Sequence, residues 1–194
     1  MNNTLFILLG YTLGSIPFGL VLCYLAGYGD IRKMGSGNIG ATNVLRNTTK
    51  PLALAVLILD TGKGAISTLA CLYITSDISI SAWVGVASVI GHNFPIWMHF
   101  KGGKGVATSL GTLLSISPIT GLITAVVWGI SCKFTKISSA SALIALLSAP
   151  IFAYVFGYTS IVWQVSILTV LGYIRHTENI KRIINGTEPK IGKK

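Results

Sequence analysis

Three polar stretches, set between long uncharged runs, hold the residues whose types and spacing suit chemistry. The first is Gly35-Ser36-Gly37-Asn38-Ile39-Gly40-Ala41-Thr42-Asn43-Val44-Leu45-Arg46. Its glycines let main-chain N–H groups come close to an anion. Ser36, Asn38, Thr42 and Asn43 add small donors, and Arg46 adds a planar fork suited to phosphate. The stretch contains a formal G-x-G-x-x-G, with Asp60 20 residues past Gly40. A dinucleotide fingerprint needs a strand before it and a βαβ unit around it. Here runs of membrane-helix length lie on both sides, so that reading fails. A flexible connector with an interfacial arginine is the plainer alternative, but this density of small donors exceeds what a turn requires.

The second stretch is Gly91-His92-Asn93-Phe94-Pro95 followed by Phe100-Lys101-Gly102-Gly103-Lys104-Gly105-Val106-Ala107-Thr108. A Walker motif needs Gly-Lys followed by Ser or Thr; Gly105 and Val106 follow Lys104, which argues against nucleotide hydrolysis. Gly102, Gly103 and Lys104 still suit an anion site in which a lysine and free N–H groups at a helix start face one ligand. Lys101 reads equally as an interfacial cation. His92 suits either proton transfer near neutral pH or a capping role, and His99, without polar company, reads as structural. The third stretch is Arg175-His176-Thr177-Glu178-Asn179-Ile180-Lys181-Arg182 with Asn185-Gly186-Thr187-Glu188. On a helix His176 and Asn179, at i and i+3, share a face and so address one ligand. A basic tail on anionic lipid accounts for Lys190, Lys193 and Lys194 but not for that pair. Two lesser features remain. Asp60 and Lys63 lie one turn apart in an apolar run, where mutual pairing is the simplest account of two costly charges. The loop Lys133-Phe134-Thr135-Lys136-Ile137-Ser138-Ser139-Ala140-Ser141 offers hydroxyls for helix capping or a second anion contact.

These segments must be positioned by membrane helices. The chain has 194 residues, 52% hydrophobic and only 10% charged, with Lys+Arg 15 against Asp+Glu 5, and a mean hydropathy of +0.71. A soluble domain carries about 25% charged residues, so a water-soluble globule is excluded. Disorder is excluded too, since it needs low hydrophobicity and high charge. The cationic excess points to cytoplasmic loops and anionic ligands rather than nucleic acid. Cys23, Cys71 and Cys132, far apart in apolar sequence, read as buried thiols, with neither a disulfide nor a metal site. The opening residues lack the basic n-region of a cleavable signal, so the first apolar stretch is expected to stay as a span.

Apart from Asp60, Lys63 and the histidines, the runs 1–29, 51–74, 78–100, 105–132 and 137–174 are uncharged. A spanning helix needs about 20 apolar residues. The first three runs give one span each, and the last gives two, with Gly157-Tyr158-Thr159-Ser160 as the turn. Cations in short loops prefer the cytoplasm. With the amino terminus outside, a tight hairpin in 105–132, turning near Ser117-Pro118, brings every cation except Lys63 to the inner side. A single crossing would strand Lys133, Lys136 and the tail outside. The expectation is a seven-transmembrane all-α bundle, one domain over 1–194, whose helices four and five are short or bent. Non-helical backbone at depth is tolerated only in protein or around a wet cavity, which hints at a cavity there.

GSGNIGATNVLR (35–46), GHNFP with FKGGKGVAT (91–108) and RHxxNIxRxxxGxE (175–188), in this order over essentially the whole chain, together with DTGKG (60–64), resemble the bacterial acyl-phosphate:glycerol-3-phosphate acyltransferase family of integral membrane enzymes. That resemblance implies transfer of a fatty acyl group from acyl phosphate to the 1-hydroxyl of glycerol 3-phosphate. The products are lysophosphatidic acid and inorganic phosphate, in phospholipid biosynthesis. It implies seven spans, an outside amino terminus, an active site on the cytoplasmic face of the bacterial plasma membrane, and no cofactor. Carried over residue by residue, Ser36, Arg46, Lys104, His176 and Asn179 fall in the substrate pocket. In the serine loop the family is more basic before its Ser-x-x-Ser, and Ser138 and Ser141 are the matches. Arg46, Lys104 and His176 are expected to be catalytic. Ser36, Asn38, Asn43, Gly102, Gly103, Ser138, Ser141 and Asn179 are expected to bind substrate, with membrane lipid as the surrounding partner and a monomer as the working unit.

The residues themselves favour direct attack on an already activated donor. No Gly-x-Ser-x-Gly elbow is present, and no histidine-acid pair of the serine-hydrolase kind is legible; no histidine is followed by aspartate in a His-x4-Asp pattern. The rival readings are a transporter of a phosphorylated solute and a lipid-binding scaffold. The first lacks an inverted repeat and polar signatures on both faces; the second leaves the glycine-rich segments unexplained.

Overall fold

The computed structural model describes residues 3–191, so Lys193 and Lys194 of the basic tail lie outside the described residues. The described chain is helical throughout: α1 (Asn3–Gly14), α2 (Phe18–Leu25), α3 (Ala41–Asn47), α4 (Lys50–Thr75), α5 (Ile78–Asn93), α6 (Val106–Ile116), α7 (Pro118–Thr135), α8 (Ser138–Val155), α9 (Val162–Arg175) and α10 (Thr177–Ile184). Among the described residues, four segments are long and apolar enough to cross a membrane: Asn3–Leu25, Lys50–Thr75, Pro118–Thr135 and Ser138–Val155. Large apolar side chains such as Leu8, Leu25, Ile66, Tyr73, Leu122 and Trp163 face outward. That is the pattern of a bundle whose solvent is lipid.

Prolines shape the spans, and each freed carbonyl is used. Pro17 breaks the first apolar run between α1 and α2, because it has no N–H and restricts the residue before it. The sequence reading treated this run as one helix. The Ile16 carbonyl at the break accepts from Lys63 Nζ at 2.8 Å. In α8, Pro150 leaves Leu146 without its intrahelical donor, and Thr169 Oγ1 of α9 donates to that oxygen at 2.7 Å. Such substitution by a neighbouring hydroxyl is how helix-breaking residues are tolerated where water is absent. Close helix packing rests on small residues: a Cβ at Gly111 of α6 would stand 1.9 Å from the Thr61 carbonyl oxygen of α4.

The run 105–132 forms a helical hairpin, α6 and α7, with Ser117 alone between them. The expectation for this run is helices that are short or bent, and its two helices differ in length. α6 has 11 residues, but α7 has 18 and needs no shortening. α5 (16 residues) and α9 (14 residues) are also shorter than α7. Pro95 keeps the chain after Asn93 from continuing as helix, and a 3-10 turn at Thr159–Ile161 delays the start of α9. Arg46, Lys104, Lys136, Arg175 and Arg182 gather at one end. Arg46 Nη2 donates to the Pro189 carbonyl at 3.0 Å, Ile191 N donates to the Lys136 carbonyl at 2.7 Å, and Lys104 hydrogen-bonds Asn179.

Candidate active site

The first loop is organised by an asparagine. Asn43 is 1% exposed. Its Nδ2 faces the carbonyls of Ile31, Met34 and Asn38 at 3.3, 3.0 and 2.8 Å, and its Oδ1 accepts from Ser36 N at 3.0 Å. The Asn43 amide thus ties together the loop backbone, and its Oδ1 also accepts from Asn47 Nδ2 at 3.1 Å. Asn43 shapes the loop and borders, with Ser36, Asn38, Thr42 and Arg46, a common cavity. The left-handed glycines Gly35 and Gly37 (φ 54 and 71) allow that path.

The second loop enters the same cavity only from Lys104 onward. Gly105, left-handed at φ 78, caps α6, and the opening residues Val106 and Ala107 line the wall. Their N–H groups have no partner inside the helix and carry its positive end. Gly102 and Gly103 do not line the cavity, and their N–H groups are occupied. Gly102 N donates to Asn93 O at 3.1 Å and Gly103 N to His92 O at 3.0 Å. Here glycine is required by packing, since a Cβ at Gly103 would stand 2.0 Å from His92 Nε2.

The chain's last stretch closes the ring. His176 sits at the α9–α10 junction, 2% exposed, with Nδ1 2.7 Å from the Gly172 carbonyl. A carbonyl only accepts, so Nδ1 carries the hydrogen and Nε2 is left as a base. Burial, reinforced by the nearby Lys104 charge, holds the imidazole pKa down to about 4, so it is neutral near pH 7. Asn179 Oδ1 meets Lys104 Nζ, and Asn179 Nδ2 donates to Glu188 Oε1 at 2.6 Å. Burial works against the Glu188 charge, but donors from Ser139 (2.6 Å), Asn179 and Arg182 (2.7 Å) outweigh it and keep the carboxyl below its usual range. For Lys104, burial pushes the pKa down to about 8; Glu188 opposes this, while Arg182, Arg175 and Arg46 add to it.

Serine placement differs from the expectation at one position. Ser138 lines the cavity and lies 3.1 Å from Thr42 Oγ1. Ser141 does not: its hydroxyl donates to Ile137 O at 2.8 Å, back into its own helix start. Ser139 lines the cavity instead, pinned to Glu188. Sequence reasoning missed Ser139, Arg182 and Glu188 as site-forming residues. The available signal was Arg182 one turn past Asn179, followed by a glycine turn at Gly186 (φ 68).

Together these groups rim a cavity of about 680 Å³ that continues between Leu57 of α4, Leu110 of α6, Ala125 and Trp128 of α7, and Ala142, Ala145 and Leu146 of α8. Its wall also holds Asp60 and His92. Asp60 Oδ1 is 2.9 Å from Lys63 Nζ, the mutual pair anticipated from spacing, and 3.5 Å from His92 Nδ1. The fold thus builds a histidine-acid contact that was not legible in the sequence. It is no hydrolase triad, because Lys63 already neutralises Asp60 and the imidazole packs on Gly103. His99 lies outside this cavity, beside a separate groove with Arg32 and Lys101. The arrangement suits phosphates beside an apolar chain: cations and donors at the mouth, aliphatic walls behind.

Residues 4–186 match the family model described as glycerol-3-phosphate acyltransferase. A glycerol-3-phosphate acyltransferase of Paramagnetospirillum magneticum is 52% identical over 185 residues, which is 95% of this chain and 92% of that relative. One of Brucella canis is 49% identical over 188 residues, 97% of this chain and 92% of the relative. The fold matches two crystal structures of PlsY (YgiH), an integral membrane glycerol 3-phosphate acyltransferase. The glycerol 3-phosphate form gives a TM-score of 0.94 at 37% identity, and the lysophosphatidic acid form 0.92 at 36%; each match covers 99% of this chain and 96% of the other. With matches this extensive in sequence and in fold, the chain belongs to the glycerol-3-phosphate acyltransferase family of integral membrane enzymes.

Proposed function

We propose that this single-domain chain, working as a monomer, transfers a fatty acyl group from acyl phosphate to the 1-hydroxyl of glycerol 3-phosphate. The products are lysophosphatidic acid and inorganic phosphate. The observation that carries the reading is convergence: Arg46, Lys104, His176, Asn179 and Ser36, from three distant segments, border one cavity with aliphatic walls. We count seven passages, α1 with α2 and then α4 to α9, with that rim at the cationic end of the bundle. By the loop-charge rule this is the cytoplasmic face of the plasma membrane, with the amino terminus outside.

In the reaction the glycerol 1-oxygen attacks the carbonyl carbon, the new ester C–O bond forms, and the bond to the phosphate oxygen breaks. The donor is already activated, so no acyl-enzyme is needed. Arg46, Lys104 and the α6 N-terminus hold phosphate and neutralise the charge that grows as it leaves. Ser36, Asn38, Ser138 and Asn179 orient the substrates. Positioning and electrostatic preorganisation supply most of the rate. The hydroxyl proton goes to His176 Nε2 or to a substrate phosphate oxygen, and a His176→Gln variant separates the two. Loss of more than about 100-fold in turnover, the usual size of general-base catalysis, together with an altered acid limb of the pH profile, is expected if histidine takes the proton. Retained turnover with only a raised KM removes it from that role.

The direct test is purified protein in detergent given glycerol 3-phosphate with either acyl phosphate or acyl-CoA. Lysophosphatidic acid and inorganic phosphate released from acyl phosphate, without any gradient, is the expected result. Turnover with acyl-CoA alone would overturn the donor assignment.

A further inference from the structure

We propose that Arg175 is a positioning residue for acyl transfer: its guanidinium grips the Gly102 and Gly103 carbonyls and so fixes the backbone from which Lys104 reaches substrate. Arg175 Nε donates to Gly103 O at 2.9 Å and Nη2 donates to Gly102 O at 2.9 Å. The two-donor edge of a planar guanidinium spans two successive carbonyls in a way that a lysine cannot. Its other support is the Phe94 ring, whose centroid is 5.1 Å from the guanidinium carbon. Phe94 is itself tied to α1 through Tyr11 Oη, which donates to its carbonyl at 2.8 Å.

The opposite edge of the same segment is bonded as well, through the N–H groups that Asn93 and His92 accept. Residues 101–105 have no helix or strand of their own, so their path depends on contacts such as these. Removing Arg175 frees one whole edge of that path. The clamp also links two halves of the site, because Arg175 directly precedes His176 and lies one turn before Asn179, the partner of Lys104. Arg175 does not border the active-site cavity; it borders the separate groove with Arg32, His99 and Lys101. It therefore acts through Lys104 and not on substrate.

The inference rests on Lys104 contacting substrate, so the experiment carries a Lys104→Met arm. Steady-state kinetics would be measured for Arg175→Ala, Arg175→Lys and Lys104→Met, each normalised to folded protein by size exclusion and thermal unfolding. A displacement of about 1 Å in a catalytic group costs about 100-fold. Arg175→Ala is expected to lose kcat by about that factor with KM for glycerol 3-phosphate moved far less. Arg175→Lys, whose ammonium reaches one carbonyl, is expected to recover part of the loss. Arg175→Ala with parental kcat, a loss confined to KM, or Lys no better than Ala overturns the proposal. If Lys104→Met turns over normally, the reading of Lys104 fails and this proposal with it. If Lys104→Met is inactive while Arg175→Ala is normal, only the positioning role of Arg175 falls.

Discussion

A Lys104→Met chain is expected to fold and to lose acyl transfer almost completely. Methionine keeps the length and apolar stem of lysine, so the segment packed on His92 and held by Arg175 is not disturbed. What disappears is the one ammonium that joins the mouth of the cavity to Asn179. In a water-excluded site, removing a single preorganised donor to developing charge costs about 10²–10³ in kcat, or about 2.7–4 kcal/mol. A full charge is expected to cost at least that. Arg46→Met is expected to be of similar size, and the double variant little worse than either single, because both cations serve the same departing phosphate. The measurement is release of inorganic phosphate from acyl phosphate by folded protein; parental turnover in either variant would remove that residue from the chemistry. The same reasoning gives a pH dependence. Lys104 must be charged, and burial holds its pKa at about 8, so kcat/KM is expected to fall as pH rises through that value. A bound phosphate favours the ammonium, so the corresponding limb of kcat should lie higher.

The largest stability effect is expected at Asp60. Asp60 and Lys63 are both 2% exposed and stand 2.9 Å apart inside α4, with the ammonium also bonded to Ile16 O and set over the Phe18 ring. Breaking a buried pair by removing one partner leaves the other charge uncompensated, typically at about 3–5 kcal/mol. Asp60→Leu is therefore expected to lose stability on that scale. Asp60→Leu combined with Lys63→Met is expected to recover most of it, since both desolvated charges are then gone. Unfolding of the three proteins in the same detergent decides the point. A single variant as stable as the double would show that the pair does not hold the lysine in place.

The donor-rich character of 35–46 and 175–188 was legible because it is a property of local composition. Arg46, Lys104, His176 and Asn179 each stand out by type and neighbours, and the structure puts all four on one cavity. The hairpin of α6 and α7 was legible from charge, because a single crossing would have separated Lys136 from the other loop cations. The break at Pro17 was passed over, although proline announces it, because an uninterrupted apolar run satisfied the length criterion by itself. The glycines are a different case. Gly102 and Gly103 look like anion donors in sequence, yet their N–H groups turn to His92 and Asn93. Whether a glycine faces a ligand or a neighbouring helix depends on what lies across from it.

The sequence by itself determined that this is a helical membrane protein with donor-rich segments at its basic end. Hydropathy and charge sum along a chain, and the bilayer reads that sum directly. The tertiary structure alone decided that Ser139 rather than Ser141 meets the cavity, that Asn43 braces its own loop at the cavity's edge, and that Glu188 anchors Asn179 and Arg182. It also joined Lys104 to a partner 75 residues away. These outcomes turn on side-chain direction and long-range contact, which one residue of register on a helix changes completely and which no local pattern encodes.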